Sequence, residues 1–233
     1  MPSLLSRHEM AQVLKSTPLF ESLDADSLER LAAECRQRTF GKGQFLWYQG
    51  DPGDRLAVIC DGLAKVVLTA ESGDEVVLAT LGRNDSLGEL SVLDGSPRSA
   101  SVVAVEPTTV LLLERPITID LMRQRPEIQN AVLRSLGRLV RHMTEQTGDL
   151  VFLDLAGRLA KVLLRLGQPA SEANEPVVLD LGLSQSDLAA MVGATRPAVN
   201  RTLQSFVARG LITIDGQIIV LKDLPRLRSR ARA

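Results

Sequence analysis

The sequence predicts an α+β protein: an N-terminal β-roll, then a long helix, then a C-terminal helix-turn-helix closed by a β-hairpin. Three observations lead there. Between Thr39 and Leu113 short aliphatic runs such as "RLAVIC", "AKVVLTA", "EVVLATL" and "TTVLLLE" alternate with glycines at intervals of roughly ten residues, the grammar of an all-β roll. After Pro116 the apolar residues return to helical spacing. Near the C-terminus two short helical patterns joined at Gly193 precede the pair of strands in "LITIDGQIIV".

The bulk numbers fit two soluble domains: 233 residues, 45% hydrophobic and 24% charged. No apolar run approaches the ~18 residues that a bilayer requires, and the N-terminus lacks the pattern of a secretory signal, so a cytoplasmic protein without membrane contact is expected. Cys35 and Cys60 stand apart without metal-ligand spacing, and the two histidines, His8 and His142, are far from one another. No metal is expected, and a metal-dependent barrel enzyme is a poor fit. The net charge of −1 hides an asymmetry: residues 154–233 carry 11 Lys and Arg against 7 Asp and Glu, leaving an excess of five acidic residues in the preceding part. A basic C-terminal domain suits a polyanionic partner.

Taken in order, Glu9 to Arg38 reads as short helices, one capped by Asp24 or Asp26 and carrying Leu28, Leu31 and Ala32 on one face. The roll follows, and residues 1–125 form the first domain. Residues 126–153 are the central helix and hinge: Val132, Leu136, Leu139, Val140, Met143, Thr147 and Leu150 form a narrow apolar seam, with Arg134, Arg138, Arg141 and Glu145 off it. Such a seam packs on a second copy of itself and predicts a homodimer. Asp154 caps the next helix, "LAGRLAKVLLRL", and opens the C-terminal domain, 154–233; "GQPASEANEP" is a polar connector.

In "LSQSDLAAMVGATRPAVNRTLQSFVARG" Ser184 and Asp187 make a capping box, Gly193 permits the turn, and Thr195 caps the second helix with Pro197 in its first turn. Ala189, Val192, Val199, Leu203 and Phe206 supply the apolar contacts, and an Asp215-Gly216 turn makes the wing. The second helix of such a motif enters the major groove of double-stranded DNA by its N-terminal end. Arg196 and Arg201 are placed to donate to guanine, Asn200 and Pro197 share that helix, and the hydroxyls of Ser184, Ser186 and Thr195 suit phosphates.

One stretch inside the roll, "GELSVLDGSPRSA", keeps a carboxylate, Glu89, and a guanidinium, Arg98, among glycines, serines and aliphatics. A buried ion pair is seldom kept for stability, because desolvation costs several kcal/mol per ion. A ligand with an anionic group and a hydroxyl alters that balance: Arg98 and free helix amides meet the anion, Glu89 accepts from the hydroxyl, and Gly88 lets the backbone approach. Phosphate beside hydroxyl describes a nucleotide ribose.

This stretch resembles the phosphate-binding cassette of cyclic-nucleotide-binding domains, whose roll is of the double-stranded β-helix type. "GATRPAVNRTLQ" with its wing resembles the DNA-binding half of the catabolite activator protein/FNR family of transcription regulators, and the likeness extends over nearly the whole chain. The resemblance implies that Glu89 accepts the ribose 2′-hydroxyl and that Arg98 and Ser99 hold a cyclic phosphate. It places Gly88, Leu90 and Ala100 around them, Val66 and Leu78 against ribose and base, and Thr144 against the purine across the dimer. It implies cAMP, ahead of cGMP because serine follows Arg98, as allosteric effector, a near-palindromic operator as target and RNA polymerase as further partner. Two positions depart from the family. Leu139 and Met143 stand where cAMP-responsive members carry arginine and threonine, making the base end of the pocket less polar; Pro197 replaces a base-reading glutamate. A constitutive DNA binder with a vestigial pocket is the alternative within the family; a nucleotide sensor whose C-terminal domain binds protein is the alternative outside it.

Overall fold

The structure, a computed structural model, describes residues 4–70, 75–167, 176–179 and 184–232. Over these the chain divides into two compact units, residues 1–74 with 78–140, and residues 75–77 with 141–233.

The first unit opens with α1 (Arg7–Ser16) and α2 (Ala25–Glu34). Ser6 and Glu9 form a reciprocal capping box on α1, and Asp24, not Asp26, caps α2 by accepting the Ser27 amide at 2.8 Å. The helical pattern extends to Arg38 in the sequence; the structure ends it at Glu34, and β1 (Arg36–Phe40) begins at once. Local propensity loses here to pairing, because β1 runs antiparallel to β8 (Thr108–Glu114) from Arg36 opposite Leu112 to Phe40 opposite Thr108.

The remaining strands of the roll are β2 (Phe45–Trp47), β3 (Arg55–Asp61), β4 (Ala64–Thr69), β5 (Glu75–Leu81), β6 (Ser86–Leu87) and β7 (Ser101–Ala104). They form two four-stranded sheets, ordered β1-β8-β3-β6 and β2-β7-β4-β5. The run "LAVIC" in β3 is apolar at every position because both its faces are covered. Ala57 and Ile59 turn into the roll with Phe40, Leu87, Val102 and Val110, while Leu56, Val58 and Cys60 turn outward under the helices. Burial pushes the Cys60 thiol up to about 11 and Cys35 up to about 12, which leaves both unreactive at neutral pH. Between β6 and β7 lies a short helix, α3 (Glu89–Asp94).

Two helices leave the roll: α4 (Arg115–Gln124), with Pro116 in its first turn, and α5 (Pro126–Phe152). The start of α5 is anchored by Ile128, Ala131 and Val132, buried in the cluster beneath α1 and α2. Val132 is therefore part of that core and not of the seam read from the sequence; Leu133, 64% exposed, keeps the three-four spacing with Val140, Met143, Thr147 and Leu150, while Leu136, in the same register, is half-buried against the cluster.

In the second unit Asp154 caps α6 (Leu155–Leu166), one carboxylate oxygen accepting the Gly157 amide at 2.8 Å and the other accepting from Arg230. Then come β9 (Val177–Leu179), α7 (Gln185–Val192), α8 (Arg196–Ala208), β10 (Ile212–Asp215) and β11 (Ile218–Leu221), with the sheet ordered β10-β11-β9. Asp215 pairs with Ile218, so the two-residue turn is Gly216-Gln217 and not Asp215-Gly216; the left-handed φ of 58° at Gly216 explains the shift by one. The arginine-rich end forms α9 (Leu224–Arg230), whose Leu224 and Leu227 are buried in the core of this unit. Most of the polar connector, residues 168–175, lies outside the described residues. Among the described residues no helix is long and apolar enough to cross a membrane.

Candidate functional site

The cassette is built by a strand, a glycine and a helix. After β6 the chain turns at Gly88, whose φ is 88°, and enters α3, whose N-cap carries no side-chain hydrogen bond. A Cβ on Gly88 would lie 2.4 Å from Nη1 of Arg98, so only glycine lets that side chain pass. Arg98 is 4% exposed. Its Nη1 donates to the Gly88 carbonyl at 3.2 Å, its Nη2 donates to the Arg55 carbonyl at 2.6 Å, and its guanidinium carbon lies 4.0 Å from the centre of the Trp47 ring. Its Nε is buried without a partner.

Glu89, half-buried at the first position of α3, is not ion-paired to Arg98. Burial raises its carboxyl above the ordinary glutamate range, against the opposing pull of its own amide and of the Arg98 charge. Acid and base therefore feel each other's charge without forming an ion pair, an arrangement that leaves the carboxylate able to engage a third group. Ala100 is buried, Ser99 and Leu90 are exposed, and Val66 and Leu78 are half-buried on the adjacent strands β4 and β5. Met143 and Thr144, both exposed, belong to the α5 segment of the second unit. A cavity of about 210 Å³ adjoins Arg98 and is lined by Arg38, Phe40, Trp47, Asp51, Asp54 and Arg55 among others. Of the ligand residues read from the sequence it contains Arg98 alone. Sequence reasoning missed Trp47 and Arg55; the one signal was that Trp47 is the chain's single tryptophan. Among the described residues no group of three or more His, Cys, Asp or Glu could hold a metal ion.

The raised carboxyl of Glu89 carries a prediction. A carboxyl whose folded value lies above its unfolded one takes up protons on folding, so its stabilising contribution is full at acid pH and lost as pH rises through the folded value. Glu89→Gln is expected to raise the thermal midpoint of the ligand-free protein at neutral pH, with the gain over wild type vanishing on acidification. Scanning calorimetry across that range checks it; a gain independent of pH would rule out desolvated charge as the cause.

The second constellation lies on α7 and α8. The Ser184 hydroxyl donates to the Asp187 carboxylate at 2.6 Å and accepts its amide at 3.2 Å, so it is already engaged in the capping box. Thr195 occupies the cap position of α8 but makes no side-chain cap hydrogen bond, which corrects the capping role given to its hydroxyl. Val199, Leu203 and Phe206 are buried and hold α8 against α7, and Arg196 and Pro197 at the start of α8 and Arg201 one turn on are exposed. Asn200 is half-buried, and its Oδ1 lacks a partner. Ser186 is exposed near the start of α7. Gln204, exposed and four residues beyond Asn200, extends the same face; sequence reasoning passed over it, although its helical spacing was available.

Comparison with known proteins bears on both constellations. Residues 37–125 match the family model of the cyclic nucleotide-binding domain, and residues 157–230 match that of the Crp-like helix-turn-helix domain. The chain is 32% identical over 224 residues to the CRP-like cAMP-activated global transcriptional regulator of Mycobacterium tuberculosis, across 96% of this chain and 100% of that protein. It is 29% identical over 218 residues to the cyclic AMP receptor protein of Thermus thermophilus, across 94% and 98% of the two chains. Among solved structures, the c-di-GMP responsive global regulator CLP of Xanthomonas campestris superimposes with a TM-score of 0.74 at 23% identity, covering 85% of this chain and 99% of that one. FixK2 of Bradyrhizobium japonicum gives 0.76 at 18% identity, with 85% and 98% covered. At those identities the two structures speak to the fold.

Proposed function

The chain belongs to the CRP/FNR family of transcription regulators, and from that premise we propose that it is a homodimeric DNA-binding regulator whose affinity for its operator is set by a cyclic mononucleotide, cAMP ahead of cGMP. The observation that carries the reading is the unpaired Glu89–Arg98 couple: a buried guanidinium without a carboxylate contact, next to a carboxyl held above its usual range. Arg98 would take the cyclic phosphate with Ser99, and Glu89 the ribose hydroxyl, with Gly88, Leu90, Ala100, Val66 and Leu78 around them. Met143 and Thr144 would meet the base. Occupancy would favour the dimer that sets both copies of α8 one DNA turn apart, because a ligand shifts an equilibrium only through its differential affinity.

Calorimetric titration of the full-length protein with cAMP, cGMP and c-di-GMP, repeated with a palindromic duplex, tests this. Binding of a cyclic mononucleotide that tightens DNA binding supports it. Heat from c-di-GMP alone would reassign the effector, and unchanged DNA affinity with no heat from any would favour the constitutive regulator, which the apolar Leu139 and Met143 already suit. For the DNA face, Arg196→Ala is expected to cost about 1–3 kcal/mol and to relax preference at one base pair. Competition with single-base operator variants checks it; equal weakening on every sequence would make Arg196 a phosphate contact. Steep salt dependence of duplex binding would separate this reading from a protein-binding C-terminal domain.

A further inference from the structure

We propose that Trp47 is a positioning residue for Arg98, holding the guanidinium in one plane so that its free N–H donors face an arriving anion. The inference rests on the proposed function of the cassette and extends it to a residue outside that segment.

The geometry accounts for the arrangement. A guanidinium has five N–H donors in its plane and an open face on either side. Two of the donors are taken by the carbonyls of Gly88 and Arg55, and the Trp47 ring covers a face at 4.0 Å. A cation–π contact attracts the charge without consuming any edge, so the remaining donors, among them the partnerless Nε, stay available. A carboxylate in the same place would neutralise the cation and compete with the anion. The carboxylates that share the cavity act on the guanidinium through space without an ion pair to it: Asp54 pairs with Arg55 at 3.6 Å, and Asp51 accepts the Tyr48 amide at 2.8 Å.

The main chain is held by the same segment. The Gly50 amide donates to the Arg98 carbonyl at 2.8 Å, and the Arg98 amide donates to the Asp51 carbonyl at 2.9 Å. The stretch from Trp47 to Arg55 thus fixes both the backbone and the head of a long, flexible side chain, so little ordering remains to be done when the ligand binds.

The test is a set of full-length variants titrated calorimetrically with cAMP and cGMP. Trp47→Leu should weaken binding roughly three- to tenfold, and Trp47→Phe, which keeps an aromatic face, should stay within about twofold of wild type. Made in an Arg98→Lys background, Trp47→Leu should cost less than it does alone, since its effect passes through the guanidinium. Should Trp47→Leu fail to fold by circular dichroism, Trp47→Met takes its place. Wild-type or tighter binding by the leucine variant overturns the inference. So does an equal loss in the leucine and phenylalanine variants, or a loss that is undiminished in the Arg98→Lys background. Absence of nucleotide binding by the wild-type protein overturns the proposed function and this inference together, and is told apart from failure of the inference alone, where the wild type binds and Trp47→Leu does not differ.

Discussion

Arg98→Leu is expected to abolish the response to cyclic nucleotides while leaving the protein folded. The loss of nucleotide affinity should be on the order of a hundredfold or more, because the substitution removes the one buried cation of the cassette and with it the charge-assisted hold on a phosphate proposed for Arg98. Stability is a balance of opposite effects. Leucine relieves the desolvation of a charge that no carboxylate pairs directly, although Asp54, Asp51 and Glu89 stabilise it through space, but it strands the Gly88 and Arg55 carbonyls, at about 1–3 kcal/mol for each unsatisfied group. A thermal midpoint near that of the wild type is therefore expected. Calorimetry with cAMP, beside a melting curve, reads both quantities. Arg98→Lys separates charge from shape: a point charge without the planar fork should bind at intermediate strength. A leucine variant that still binds as the wild type does would remove Arg98 from the site.

Val140→Asp is expected to dissociate the proposed homodimer. Along α5 the residues Leu133, Val140, Met143 and Leu150 are each more than half exposed within the single chain. They fall at alternating intervals of three and four with Leu136 and Thr147, the repeat of a two-stranded seam. Two aspartates brought together by a two-fold axis would be desolvated like charges, and the dimerisation constant should weaken on the order of a hundredfold. Sedimentation at micromolar protein checks the oligomer, and a palindromic operator checks the consequence: the variant should bind half-sites independently and lose most of its affinity for the full site. A variant that remains dimeric would place the interface on another surface.

Much of this was legible along the chain, for local reasons. Ser6, Asp24, Asp154 and Ser184 announce helix starts because a cap needs only a side chain two or three residues from the amides it accepts. The strand-rich grammar of the roll, the short helix after Gly88, the long helix and the helix-turn-helix are patterns of period and punctuation. The departures arose wherever a distant segment decided. Arg36–Arg38 reads as helix but pairs with β8, and Val132 reads as seam but is buried under α1 and α2.

By itself the sequence determined the order of the two domains, the pair of helices α7 and α8 and the presence of an apolar stripe on α5, since each depends on spacing within one element. Only the tertiary structure decided what Arg98 touches. Trp47 and Arg55 stand some forty to fifty residues away from it in sequence, and no local period relates them. Their meeting is a product of how β2, β3 and the cassette pack in the roll, and the state of the buried charge follows from that packing: held by carbonyls and an indole, and paired with no acid.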